Sequence, residues 1–229
     1  MNIFQKITIT PIVAIFLQVS ALSKNVLSAE LLQKPLITGA SVSADWGTLS
    51  PGKTLALRYT EKSNIKTIAF GGQPGQEVIK EIQSNDFKDR SIIIAVDFFF
   101  WDSTLPEINN SIKALEKMIS QASNLNLPIV LGEIPELLPG RQINRIRLNQ
   151  EIATKCASYK QCFLMPFDQL HRQVLKEGFL EIKGRKYSMR ELVPDGLHLS
   201  QPTTEYLADI MFAILNNKNI WNSGRIQLL

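Results

Sequence analysis

The strongest strand signal in the chain is Ser91-Ile92-Ile93-Ile94-Ala95-Val96, closed by Asp97. It is β-branched and shows no apolar/polar alternation, which predicts a strand buried on both faces, as in a parallel sheet. Shorter stretches also read as strands. Pro35-Leu36-Ile37 leads into Thr38-Gly39-Ala40-Ser41, Ile65 to Phe70 stops at Gly71-Gly72, Leu127 to Leu131 stops at Gly132, and Cys162 to Pro166 forms a fifth. Between them the spacing changes to a helical period. Helices are expected over Lys53–Thr60, around Glu77–Ile82, over Pro106–Asn124 (Ile108, Ile112, Leu115 and Ile119 on one face), Ile143–Tyr159, Gln169–Lys176 and Thr203–Leu215. In the last of these Tyr206, Leu207, Ile210, Met211 and Ile214 face inward, and Ser200 and Pro202 are start signals. Residues 42–50 read as a loop and Gly178 to Val193 as irregular.

Strands alternating with helices imply right-handed crossovers and a sheet covered on both sides. The expected fold is therefore α/β, a three-layer α/β/α sandwich around a mostly parallel sheet of about five strands, flavodoxin-like in plan. Such sheets bind ligands at the carboxyl ends of their strands. Ser41, Gly72 and Asp97 all fall just past those ends, so the topology brings them to one rim.

With 229 residues, of which 45% are hydrophobic, the chain is long enough for one sizeable core. The net charge of +4 is modest and its basic residues are scattered, which argues against nucleic-acid binding. Ile7 to Leu22 is mostly apolar, but at 16 residues it is shorter than the roughly 20 of a membrane span. It fits a secretory signal, with small residues for cleavage after Ala21 or after Ala29. We expect residues 1–29 to be the signal and 30–229 a single domain, secreted or periplasmic, with no stable membrane insertion after processing. Loss of Lys6 and Lys24 with the signal lowers the charge from +4 to +2. Cys156 and Cys162 lack histidine neighbours and make a poor zinc site. In an oxidising compartment they are expected to pair as a disulfide.

The chain has only two histidines, His171 and His198. His171 lies in a helical stretch with no telling partner and reads as a packing or surface residue. His198 follows Asp195 by three residues in Asp195-Gly196-Leu197-His198. An aspartate so placed can fold back to accept the Nδ1 proton, leaving Nε2 as the base that a serine nucleophile requires. Other schemes fare worse. Gly39-Ala40-Ser41-Val42-Ser43 lacks the second glycine of a G-x-S-x-G elbow. Gly71-Gly72-Gln73-Pro74-Gly75 has no G-K-[ST], and no G-x-G-x-x-G follows a strand.

A strand-ending serine near the start, a glycine after the second strand and a D-x-x-H before the last helix together resemble the SGNH (GDSL-type) hydrolases, over roughly residues 35–217. The resemblance implies Ser41 as nucleophile with Asp195 and His198 completing the triad. It also implies Gly72, with Gly71 as the alternative register, as an oxyanion-hole donor beside the Ser41 amide. Two positions depart from the pattern. Ala40 replaces the aspartate of Gly-Asp-Ser, and Asp97 stands where the third block has an asparagine whose side chain donates to the oxyanion. An ionised carboxylate cannot donate. Three outcomes are open: Asp97 turns away to hold the Ser41 loop, burial keeps it protonated, or activity is weak or lost. Phe98 to Trp101 after it could line an acyl or sugar pocket or pack in the core.

The resemblance implies an exported serine esterase acting on a small-molecule, glycan or lipid ester, with no metal or organic cofactor. The alternatives are a carbohydrate O-acetylesterase or acyltransferase acting on cell-envelope glycans, and a non-catalytic binding domain that keeps the fold.

Overall fold

The computed structural model describes residues 29–137, 142–218, 220–222 and 225–226. The expected signal segment, apart from Ala29, lies outside them. Five strands, β1 (Pro35–Gly39), β2 (Lys66–Ala69), β3 (Ile92–Ala95), β4 (Ile129–Gly132) and β5 (Cys162–Met165), form one sheet ordered β2-β1-β3-β4-β5. Every pairing is parallel. This is the flavodoxin-like doubly wound order, in which the chain reverses direction across the sheet between β1 and β3. Ser41 follows one of those strands and Asp97 the other.

The apolar runs explain the three layers. Successive side chains on a strand point to opposite faces, so Ile92 and Ile94 enter one core while Ile93 and Ala95 enter the other. All four are at most 1% exposed, as the unbroken run in the sequence predicted. Complete burial of each isoleucine contributes about 1.5–3 kcal/mol. Helices α1 (Pro51–Ala56), α5 (Phe167–Glu177) and α7 (Gln201–Leu215) cover the first face. Helices α2 (Gly75–Glu81), α3 (Asn109–Asn124) and α4 (Gln142–Ala157) cover the second.

Helix α1 starts two residues earlier and ends sooner than expected. The Ser50 hydroxyl accepts from the Lys53 amide and Pro51 fits the first turn. Tighter bonds, Arg58 N to Leu55 O and Tyr59 N to Ala56 O, then stop it. A β-carbon on Gly52 would lie 2.7 Å from Ile94 Cγ2, so this helix sits directly on β3. Gly132 belongs to β4 rather than ending it, because its missing side chain lets the strand pass close to the Val96 carbonyl.

The segment read as irregular contains a hairpin, β6 (Leu180–Ile182) with β7 (Arg185–Tyr187), and a short helix α6 (Met189–Leu192). Its two-residue turn, Lys183-Gly184, has positive φ at both positions, 50° and 79°, as a tight twisted hairpin needs. A lysine in the first position hides that signal. A second small ladder pairs β8 (Trp221–Asn222) with β9 (Arg225–Ile226). Cys156 and Cys162 are joined as a disulfide between the end of α4 and the start of β5. No helix among the described residues is long and apolar enough to cross a membrane.

Candidate active site

The loop after β1 folds back on itself: Ala44 N donates to Ala40 O at 3.0 Å and Trp46 N to Ser41 O at 3.0 Å. Asp97, past the end of β3, anchors it. Its Oδ2 accepts from Val42 N (2.9 Å) and Ser43 N (3.2 Å), and its Oδ1 accepts from Ser43 Oγ (2.5 Å). A β-carbon on Gly39 would collide with Asp97 Oδ1, which is why a glycine precedes the loop. Burial pushes the Asp97 carboxyl above its ordinary range, against bonds from Ser43, Ala40 and Val42 that pull it down. Both oxygens are thus taken up by the loop that carries Ser41. Ser43 is completely buried, its Oγ also 3.2 Å from Thr38 O. Ser41, 6% exposed, instead lines a cavity.

At the other end of the chain Asp195 folds back on His198. Its Oδ1 accepts from Leu197 N (2.9 Å) and His198 N (2.7 Å), and its Oδ2 lies 2.6 Å from His198 Nδ1. The His198 amide and ring, with the Leu197 amide, hold the Asp195 carboxyl well below the ordinary carboxylate range. Gly196, at φ 77°, takes the left-handed turn this loop requires. With Nδ1 facing a carboxylate, Nε2 becomes the free ring nitrogen. It is buried and makes no hydrogen bond. The Ser41 hydroxyl is therefore not hydrogen-bonded to it in this structure.

The two halves meet through Trp46. Its ring stands 5.8 Å from that of His198, tilted by 41°. It also packs on Gly71, where any β-carbon would collide with the indole. Thr48 Oγ1 ties the same loop to Leu199 O (3.2 Å) and Thr204 Oγ1 (3.0 Å). Gly72, at φ 74°, occupies the third position of a turn closed by Gln73 N to Phe70 O (3.2 Å). It is exposed, and its β-carbon position is open. Trp46 escaped the sequence reading, and its only signal was an aromatic residue five positions after the serine in a loop of small residues.

The cavity, of about 110 Å³, is bordered by Ser41, by Leu197 and Leu199 on either side of His198, and by the inner face of α5. Glu133 fixes that helix in place. Its carboxylate accepts from Asp168 N (3.2 Å), Gln169 N (3.3 Å) and Gln169 Nε2 (2.8 Å), satisfying the first-turn amides. His171 also lines the cavity. Its Nδ1 is buried without a partner, and burial pushes the imidazole below its ordinary value.

No family model matches the chain, and neither does any curated protein sequence. Solved structures do share its fold. The psychrotrophic esterase EstA from Pseudoalteromonas sp., in a structure described as inhibited by monoethylphosphonate, superposes with a TM-score of 0.56 at 14% identity. The match covers 81% of this chain and 98% of the esterase. LAE5, described as an alpha/beta hydrolase enzyme from the metagenome of Lake Arreo, Spain, gives a TM-score of 0.57 at 14% identity. Here 82% of this chain and 96% of LAE5 are covered.

Proposed function

We propose that this chain is an exported serine hydrolase of the SGNH type that cleaves ester bonds. The observation that carries this reading is the Asp195–His198 pair, whose Nε2 is buried and unpartnered and whose neighbours Leu197 and Leu199 line the same cavity as Ser41. A polar atom buried without a partner costs about 1–3 kcal/mol, and taking the proton of an attacking hydroxyl supplies that partner.

Ser41 Oγ attacks the ester carbonyl as His198 Nε2 takes its proton, and the carbonyl electron pair moves onto oxygen. The amides of Ser41 and Gly72 receive that charge. The carbon–oxygen bond to the alcohol then breaks, the proton on Nε2 passes to the leaving alkoxide, and an acyl-Ser41 remains. Water, deprotonated by His198, repeats the sequence and releases the acid. Asp195, ionised throughout, orients the ring and stabilises the imidazolium. Asp97 takes no part in the charge transfer and positions Ser41 through the amides of the loop. The two structural neighbours described as hydrolases are compatible with this chemistry. Export rests on the apolar segment from Ile7 to Leu22, and the Cys156–Cys162 disulfide agrees with an oxidising compartment.

Ser41→Ala should abolish hydrolysis of a short-chain p-nitrophenyl ester in a protein that still melts cooperatively. Unchanged turnover in that variant would sink the mechanism and leave a fold retained for binding.

A further inference from the structure

The cavity at Ser41 is far more apolar than ester chemistry alone requires. Five polar residues, Ser41, Asp97, Glu133, His171 and Thr203, border it. Asp97 and Glu133 are committed to backbone amides, and Thr203 Oγ1 donates to Leu192 O at 2.9 Å. The rest of the wall is hydrocarbon. Phe167, Leu170 and Val174 recur at helical spacing on one face of α5, and Leu180, Leu192 and Leu207 share the wall with them. Neither lysine nor arginine lines it, so nothing in the wall pairs with an anionic group, whereas an uncharged chain is admitted.

We propose that this cavity is the binding site for the acyl group of the substrate, an uncharged chain of medium length. The size follows from two measures. Phe167 and Val174 are seven residues apart on one helix, a span of roughly 10 Å. A volume of about 110 Å³ is of the order of the ~150 Å³ apolar cavity that takes a six-carbon ring. Together they fit a chain of roughly six to eight carbons. An acetyl group would leave most of the space empty, so the cavity selects against the O-acetylesterase alternative. Much of its wall, from α5, Leu180 and α6, lies between the fifth strand and the Asp195–His198 loop, a stretch with no catalytic part to account for it.

The proposal takes its chemistry from the ester-hydrolase reading, but the binding it describes does not depend on turnover. Two measurements separate them. In a series of p-nitrophenyl esters from acetyl to palmitoyl, kcat/KM should rise about fourfold per added methylene to an optimum near hexanoyl or octanoyl, then fall. Val174→Phe should lower the octanoyl-to-acetyl ratio at least tenfold. Met189→Trp, at a partly exposed wall position that tolerates bulk, should lower it in the same direction. Separately, 1-octanol should raise the melting temperature of Ser41→Ala and fail to do so once Val174→Phe is added. A series that is flat or highest at acetyl overturns the acyl site while leaving the hydrolase intact. Octanol binding that Val174→Phe abolishes, in a protein that hydrolyses no ester, keeps the site and removes the hydrolase reading.

Discussion

Oδ1 of Asp97 lies 2.5 Å from the Ser43 hydroxyl, two residues beyond the candidate nucleophile, while Oδ2 holds the Val42 and Ser43 amides. The residue after the third strand thus grips the loop after the first, across the point where the sheet order reverses. An asparagine in its place would present an amide nitrogen to donors that need an acceptor. Asp97→Asn should therefore cost about 1–3 kcal/mol, read as a lower urea midpoint, with Asp97→Ala costing at least as much. An unchanged midpoint in both variants would show that the loop does not depend on this carboxylate.

Asp97 and Asp195 carry opposite pH signatures. Burial raises the Asp97 carboxyl in the folded state, so the native protein holds that proton to higher pH than the unfolded chain. Its contribution to stability is greatest in acid and declines as pH rises from the ordinary aspartate range through the raised folded value. Asp195 is lowered by the His198 and Leu197 hydrogen bonds, so its contribution is present above the ordinary aspartate value and lost as pH falls through the lowered one. Denaturation curves of Asp97→Asn and Asp195→Asn across acid pH should show differences from the parent that change in opposite directions. Parallel changes would contradict both assignments.

Trp46 packs on Gly71 and lies against the His198 ring, so a side chain at the glycine displaces the indole. Gly71→Ala should displace Trp46 from its place against the histidine and lower kcat/KM by about 10², with the melting temperature little changed. Trp46→Ala in the same background should recover part of the loss by removing the collision. If the double variant is no better than Gly71→Ala, the effect does not pass through the indole.

The Cys156–Cys162 bridge closes a ring of few residues between α4 and β5, away from Ser41 and His198. In the chain-entropy picture such a loop contributes about 2 kcal/mol. Replacing both cysteines with serine should lower stability by that amount and leave kcat/KM within about twofold. A large loss of turnover would place the disulfide in the catalytic architecture.

The sheet was legible because its central strand is apolar at every position: Ile92 to Ala95 could be placed without a partner sequence, and the order of elements implied the parallel crossovers. The Asp195–His198 contact was legible because three residues suffice to close it. What could not be read depends on long-range packing. Nothing local marks Glu133 as the acceptor for the Asp168 and Gln169 amides of α5, 35 and 36 residues further along the chain. The Lys183-Gly184 turn hides its hairpin behind a lysine at a positive φ. The apolar cavity is assembled from β-strand ends, α5, α6 and the histidine loop, so no single stretch of sequence shows it.

The account turns on Ser41 being the residue His198 activates. Treatment with a fluorophosphonate followed by peptide mass spectrometry tests it most directly. The expected result is one phosphonyl adduct on Ser41, formed about a thousandfold or more slowly in His198→Ala. A folded protein that takes no label, or one labelled at Ser43, would contradict it.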